Sequence, residues 1–318
     1  MSTPPNPPIS PSANAVPGTS LESQAISPSL ISPGRRFYWS VRRELWENRS
    51  IWIAPLAVSA LTLLGFLIST FRLPGRMRDA LALDPLKLHQ LIERPYDFSA
   101  LLIMGATLLV AIFYCLDALH GERRDRSILF WKSLPMSDFA TVLSKAAIPL
   151  FILPLITFAF TVATQSIIYL INSAVLLGSG LGIAPLWNHL SLFQSWAMLL
   201  YHLLAIHSLW YAPFFAWLLM VSAWARRAPF LWAALPLLAI GVVEKIAFST
   251  SYFGAMLLNR IAGAPGGSTA TPTAMSMASL TPVTLLQFLG SAGLWSGLAV
   301  AALFLVIAVR LRQHRQPI

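Results

Sequence analysis

Charge is what this sequence most lacks. Asp, Glu, Lys and Arg make up 11% of its 318 residues, where a soluble domain carries about a quarter. The eighty residues from Ala146 to Ala225 contain none at all. With 56% hydrophobic residues and a mean hydropathy of +0.67, the chain cannot cover a surface with polar groups. A soluble globular protein is excluded, and an integral membrane protein is expected.

Other shortages exclude particular chemistries. Cys115 is the single cysteine and lies inside an apolar run, so there is no disulfide framework and no cysteine metal cluster. Lysine occurs four times, at 87, 132, 145 and 245. None stands in the Gly-x-x-x-x-Gly-Lys-Ser/Thr setting that cradles nucleotide phosphates. LGSGLG (177–182) is rich in glycine but has no lysine and reads as a turn. The zinc-protease pattern His-Glu-x-x-His and the nucleophile elbow Gly-x-Ser-x-Gly are missing too. No catalytic residue and no metal site are expected. Residues 1–34 hold eight prolines but no Lys, no Arg and no apolar core. They resemble no signal peptide and read as a disordered tail.

What is present is a series of long apolar runs. About 20 helical residues cross the roughly 30 Å bilayer core, and six segments qualify: about 51–70, 98–116, 146–170, 194–222, 229–248 and 286–309. The charge-free stretch is divided at 171–191, where Asn172, three glycines, Pro185, Asn188 and His189 mark a turn. Six spans place both termini on one side. If that side is the cytoplasm, inner segments carry fifteen basic residues and outer segments six, with Lys245 at a span end left out. The positive-inside rule favours this orientation, and it accounts for the net charge of +10 without a nucleic-acid partner. Five of the six outer basic residues fall in 71–97, which reads as a small folded cap.

Two segments are amphipathic without being long enough to cross. RRFYWSVRRELWENRS (35–50) places Phe37, Val41 and Leu45 at i, i+4, i+8, with Trp39 and Trp46 as interface anchors. YFGAMLLNRIAG (252–263) lies on the outer face or re-enters between spans five and six.

Against this background HGERRDRSILFWKSLPMSD (120–138) stands out, with six charged residues before Pro135. A solvated inner loop explains the charges, but not ILFW (128–131), four large apolar side chains together. Pro135, Ser137 and Asp138 read as a stop followed by a helix N-cap. A docking element and a membrane-surface helix are both open readings.

The layout and this loop are similar to bacterial ABC-2-type permeases, the membrane subunits of ABC exporters. The points of resemblance are GERRDRSILFWKSLPMSD followed by FATVLSKA with its Lys145, the interfacial helix before span one, and the short apolar segment after span five. The resemblance covers roughly 35–315. It implies an all-α integral membrane protein of six transmembrane helices, with an N-terminal interfacial helix, a cytoplasmic coupling helix between spans two and three, and a short outer or re-entrant helix between spans five and six.

It also implies a coupling role for this loop. Ile128, Leu129, Phe130 and Trp131 would form a knob in a groove of a cytoplasmic ATPase. Glu122, Arg123, Arg124, Asp125 and Lys132 would set polar contacts, and Pro135 would end the element. The implied partners are two copies of an ABC ATPase, which bind ATP and Mg in this chain's stead, and a second permease copy or a sister permease. The implied setting is the bacterial cytoplasmic (inner) membrane, multi-pass, with both termini cytoplasmic. A sensor, scaffold or assembly factor docking another soluble partner is the alternative class.

Four intramembrane polar residues are candidate gate or substrate contacts. His202 and His207 lie in the fourth span without a carboxylate, a setting that also suits packing between helices. Glu244 and Lys245 lie near an end of the fifth. Glu244 is 17 residues beyond Arg227, about 26 Å along a helix, which favours an outer-interface anchor over a mid-bilayer gate.

Overall fold

The computed structural model describes residues 32–81, 85–127, 137–180, 191–261 and 288–314, with side chains for all of these except 33, 80, 81 and 85–91. The described residues are helical with no strand, and six helices are long and apolar enough to cross a membrane. The chain is an all-α, multi-pass membrane protein.

Helix α1 (Pro33–Glu47) opens with Ser32, whose hydroxyl accepts from the Arg35 amide, and with proline in its first turn, where a missing N–H costs nothing. After a short break, α2 (Ser50–Thr70) forms the first membrane-length helix. Then α3 (Leu73–Leu81) packs against α4 (Pro85–Ala118) through Met77 and Ile92, with Leu176 from further along the chain. The described residues of 71–97 thus form two helical pieces, the second continuous with the span through Pro95.

The short α5 (His120–Arg124) follows, then α6 (Asp138–Ala147). Ser137 caps α6 by accepting from the Ala140 amide at 3.1 Å. A π segment, Ile148–Ile152, joins α6 to α7 (Leu153–Gly178). The third membrane-length helix therefore runs Asp138–Gly178, well beyond 146–170 on both sides. Its extra turns carry Lys145 and Asn172, whose polarity is met by buried partners rather than by water.

The stretch expected as one span at 194–222 is broken. It comprises α8 (Leu192–His202), a π segment Leu203–Trp210, a bend at Tyr211, and α9 (Ala212–Trp224). Pro213 in the first turn of α9 explains why a new helix begins there. The chain continues as α10 (Pro229–Phe248), α11 (Tyr252–Ile261) and α12 (Ala292–His314).

The core lies between α4, α6, α7 and α9, where Tyr114, Cys115, Ala146, Ile148, Leu153, Ile156, Phe215 and Leu219 pack together. Helices α9 and α12 approach closely through Ala212, Ala216 and Ala301, and again through Ala223 and Ala308. Small side chains let backbones meet, which matters where lipid removes the hydrophobic drive. In the α4 span half of the central window is buried, against 6% for α10. Helix α4 is central and α10 peripheral.

Hydrogen bonds pin the bundle at two depths. The Thr157 hydroxyl donates to Thr107 Oγ1 at 2.9 Å. Toward the end away from α5, Gln165 donates to the Tyr96 carbonyl at 3.0 Å and accepts from the Trp196 indole at 2.7 Å.

Candidate functional site

At one end of the bundle, four elements far apart in sequence bring their charges together out of solvent. Helix α1 supplies Glu44, which is 1% exposed although its neighbours Phe37, Val41 and Leu45 make that face apolar. One of its carboxylate oxygens meets Lys145 Nζ at 2.8 Å and Arg43 at 2.9 Å, and the other accepts from the Tyr114 hydroxyl at 3.0 Å. Lys145, on α6, also reaches Glu122 of α5 at 3.1 Å. From α12, Arg312 holds the second Glu122 oxygen at 3.0 Å and Asp138 with its other nitrogen.

Three carboxylates (Glu44, Glu122, Asp138) face three cations (Arg43, Lys145, Arg312), so the cluster is neutral as a whole. Neutrality is what makes its burial tolerable, because a lone ion there would cost several kcal/mol. Burial raises the pKa of Glu44, but Lys145 and then Arg43 outweigh it and hold the carboxyl below its ordinary 4.5. Glu47, one turn on, goes the other way. Its carboxyl is raised above 4.5, chiefly by burial, with Glu44 and Glu122 adding to the rise against Arg43.

Polar contacts extend the joint. The Ser40 and Ser144 hydroxyls lie 3.0 Å apart, tying α1 to α6. Arg123 donates to the carbonyls of Ala223 and Ala225 at 2.8 and 3.1 Å, satisfying the end of α9. The Ser222 hydroxyl accepts from the amides of Leu119 and His120 at 3.0 and 2.9 Å. The stem of the 120–138 loop is thus fastened to α1, α6, α9 and α12 together.

The residues expected to share a coupling surface divide sharply. Glu122 and Arg123 are buried in this joint, whereas Arg124 and Asp125 are exposed and pair with each other at 3.0 Å. Ile128, Leu129, Phe130, Trp131, Lys132 and Pro135 lie outside the described residues. Glu44, Asp138, Lys145 and Arg312 were not recognised as a set. One signal was available for Glu44, which sits three residues after Val41 and seven after Phe37, on the apolar face of its helix.

The other polar candidates lie elsewhere. Glu244 accepts from the Tyr252 and Phe253 amides at 2.6 and 2.9 Å and from the Thr250 hydroxyl at 3.0 Å. It is an N-terminal cap for α11 supplied from α10. Lys245 is exposed, and its carbonyl accepts from Ser249 as α10 ends. His207 is 3% exposed, edge-on to Tyr211 at 5.9 Å, with its Nε2 unpartnered among the described residues. His202, five residues earlier, is half-buried. No group of three His, Cys, Asp or Glu among the described residues could hold a metal.

Helix α11 is fastened by its far end. Arg260 stacks over Trp210 with 4.1 Å to the ring centre and donates to the Gly293 carbonyl at 2.7 Å. The Trp210 indole donates back to the Arg260 carbonyl at 2.9 Å, and the Tyr211 hydroxyl to that of Ile261 at 2.7 Å.

Fold and site together define a multi-pass helical membrane protein with a buried, charge-neutral joint at one end. No protein-family model, curated protein or solved structure matches the chain.

Proposed function

We propose that this chain is the transmembrane subunit of an ATP-driven exporter, moved by a separate ATPase that docks at the 120–138 loop. The observation that carries this reading is the buried joint. A push on α5 is delivered through Glu122 to Lys145 at the start of the third membrane-length helix and to Arg312 at the end of the last. A loop that served only to orient the chain would need solvated charges, not four helices locked to its stem. Two ATPase copies on a permease pair, in the bacterial inner membrane with both termini cytoplasmic, complete the proposal. ATP with Mg is bound by the partner, and the spans respond as a coupled conformational equilibrium.

The test is to purify the tagged protein from native membranes in mild detergent and assay the eluate for ATPase. The expected result is a P-loop ATPase in roughly equal amount, lost when Trp131 is changed to Asp in a variant that still folds. Recovery of a different partner, or of none with the protein intact, refutes the proposal in favour of a sensor or scaffold.

A further inference from the structure

Where α9 gives way to α10, a recess of about 270 Å³ is lined by Trp224, Ala225, Arg226 and Trp232. The two indoles meet edge-on with ring centres 4.7 Å apart, forming an aromatic wall. Arg226 and Arg227 are exposed beside it, and their guanidinium groups make no hydrogen bond or ion pair among the described residues. The backbone behind them is held in place. Arg123 grips the carbonyls of Ala223 and Ala225, His120 Nε2 lies 3.4 Å from the Arg226 carbonyl, and Ala228 turns the chain at φ 47°.

From the recess α10 runs into the membrane almost bare. Phe230, Leu231, Leu235 and Leu238 are exposed, and Ala233 is its one buried residue. Charge and apolar surface therefore meet in one place: two cations without a partner among the described residues and indole walls at the start of a membrane-length helix, then a continuous apolar track. Indoles favour the headgroup region that borders such a helix, because one part of the ring is apolar and the N–H end is wet. A ligand that matches must combine a negative headgroup with long hydrocarbon chains.

We propose that this recess binds the headgroup of an anionic phospholipid, whose acyl chains lie along the outward face of α10. The inference rests on the membrane fold and not on transport. Arg226 and Arg227 pair with the phosphodiester, and Trp224 and Trp232 flank the glycerol region. An anionic lipid gains about five-fold in affinity for each arginine near the membrane surface.

The test is native mass spectrometry of the full chain in mild detergent, titrated with phosphatidylglycerol or phosphatidylcholine of the same acyl chains. We expect preferential retention of phosphatidylglycerol, reduced at least about five-fold in Arg226→Gln/Arg227→Gln. A control, Arg35→Gln/Arg42→Gln on α1, removes the same net charge and should keep the preference. Circular dichroism and gel filtration establish that each variant folds. Equal retention of the two lipids overturns the proposal, as does an equal loss in the α1 control, which would mean diffuse attraction. Displacement of the lipid by millimolar inorganic phosphate also overturns it, because the site would then be an anion site indifferent to acyl chains.

Discussion

Replacing Lys145 with Met removes one charge, keeps most of the volume, and leaves the three carboxylates of the joint one counter-ion short. Lys145 Nζ lies 2.8 Å from Glu44 and 3.1 Å from Glu122, with 3% of its side chain exposed. Arg43 stays within 2.9 and 3.6 Å of the same two oxygens but is 22% exposed, and Arg312, 3.0 Å from Glu122, is shared with Asp138, so two cations are left for three carboxylates. Losing one partner of a buried ion pair costs about 3–5 kcal/mol. The second substitution, Glu44→Gln, removes one stranded charge and should return part of that loss. A coupling energy of about 1–3 kcal/mol is expected from the cycle of wild type, two single variants and the double variant. The measurement is unfolding in mixed micelles at rising SDS fraction, followed by far-UV circular dichroism. Arg124→Gln, which touches only exposed ion pairs, with Asp125 and with Asp117, should leave the midpoint where it is. A Lys145→Met loss below about 1 kcal/mol, or a double variant equal to the sum of the singles, would refute the account of the joint.

Acid should loosen the same joint. A carboxyl held below 4.5 in the fold, as Glu44 is, contributes stability that is complete above that value and lost as pH falls through the lower folded one. The SDS midpoint should drop at acid pH, and less steeply in Glu44→Gln; equal slopes count against it. Glu244→Gln should weaken the cap on α11, seen as faster amide exchange over 252–255 with the rest of the bundle unchanged. Gly297→Ala places a methyl 1.8 Å from an Arg260 nitrogen. The guanidinium must then leave Trp210 and Gly293, losing about 0.5–2 kcal/mol of cation–π attraction. Faster proteolysis after Arg260 would report it, and an unchanged cleavage rate would speak against the stacking.

Some of the architecture was legible because it is written locally. A membrane-length helix needs only some twenty consecutive apolar residues, and the Ser137 cap needs only a stop and a hydroxyl before a helix. The joint was not written that way. Glu44 and Lys145 lie 101 positions apart, and Arg312 and Glu122 lie 190 apart. Counted along the chain, Arg43, Lys145 and Arg312 are three more of its basic residues, lying beside apolar runs. Folded, they are the counter-ions of Glu44, Glu122 and Asp138. The π segments at Ile148–Ile152 and Leu203–Trp210 were equally hidden, because apolar sequence accommodates either helical register until packing selects one.

Composition by itself determined the solvent in which this chain lives. A chain with 11% charged residues has no surface to offer water, whatever its topology. Which of those few charges face water and which face each other was decided by tertiary structure alone. A helix cannot bury an ion without a partner, and apart from Arg43 beside Glu44 the partners here arrive on different helices.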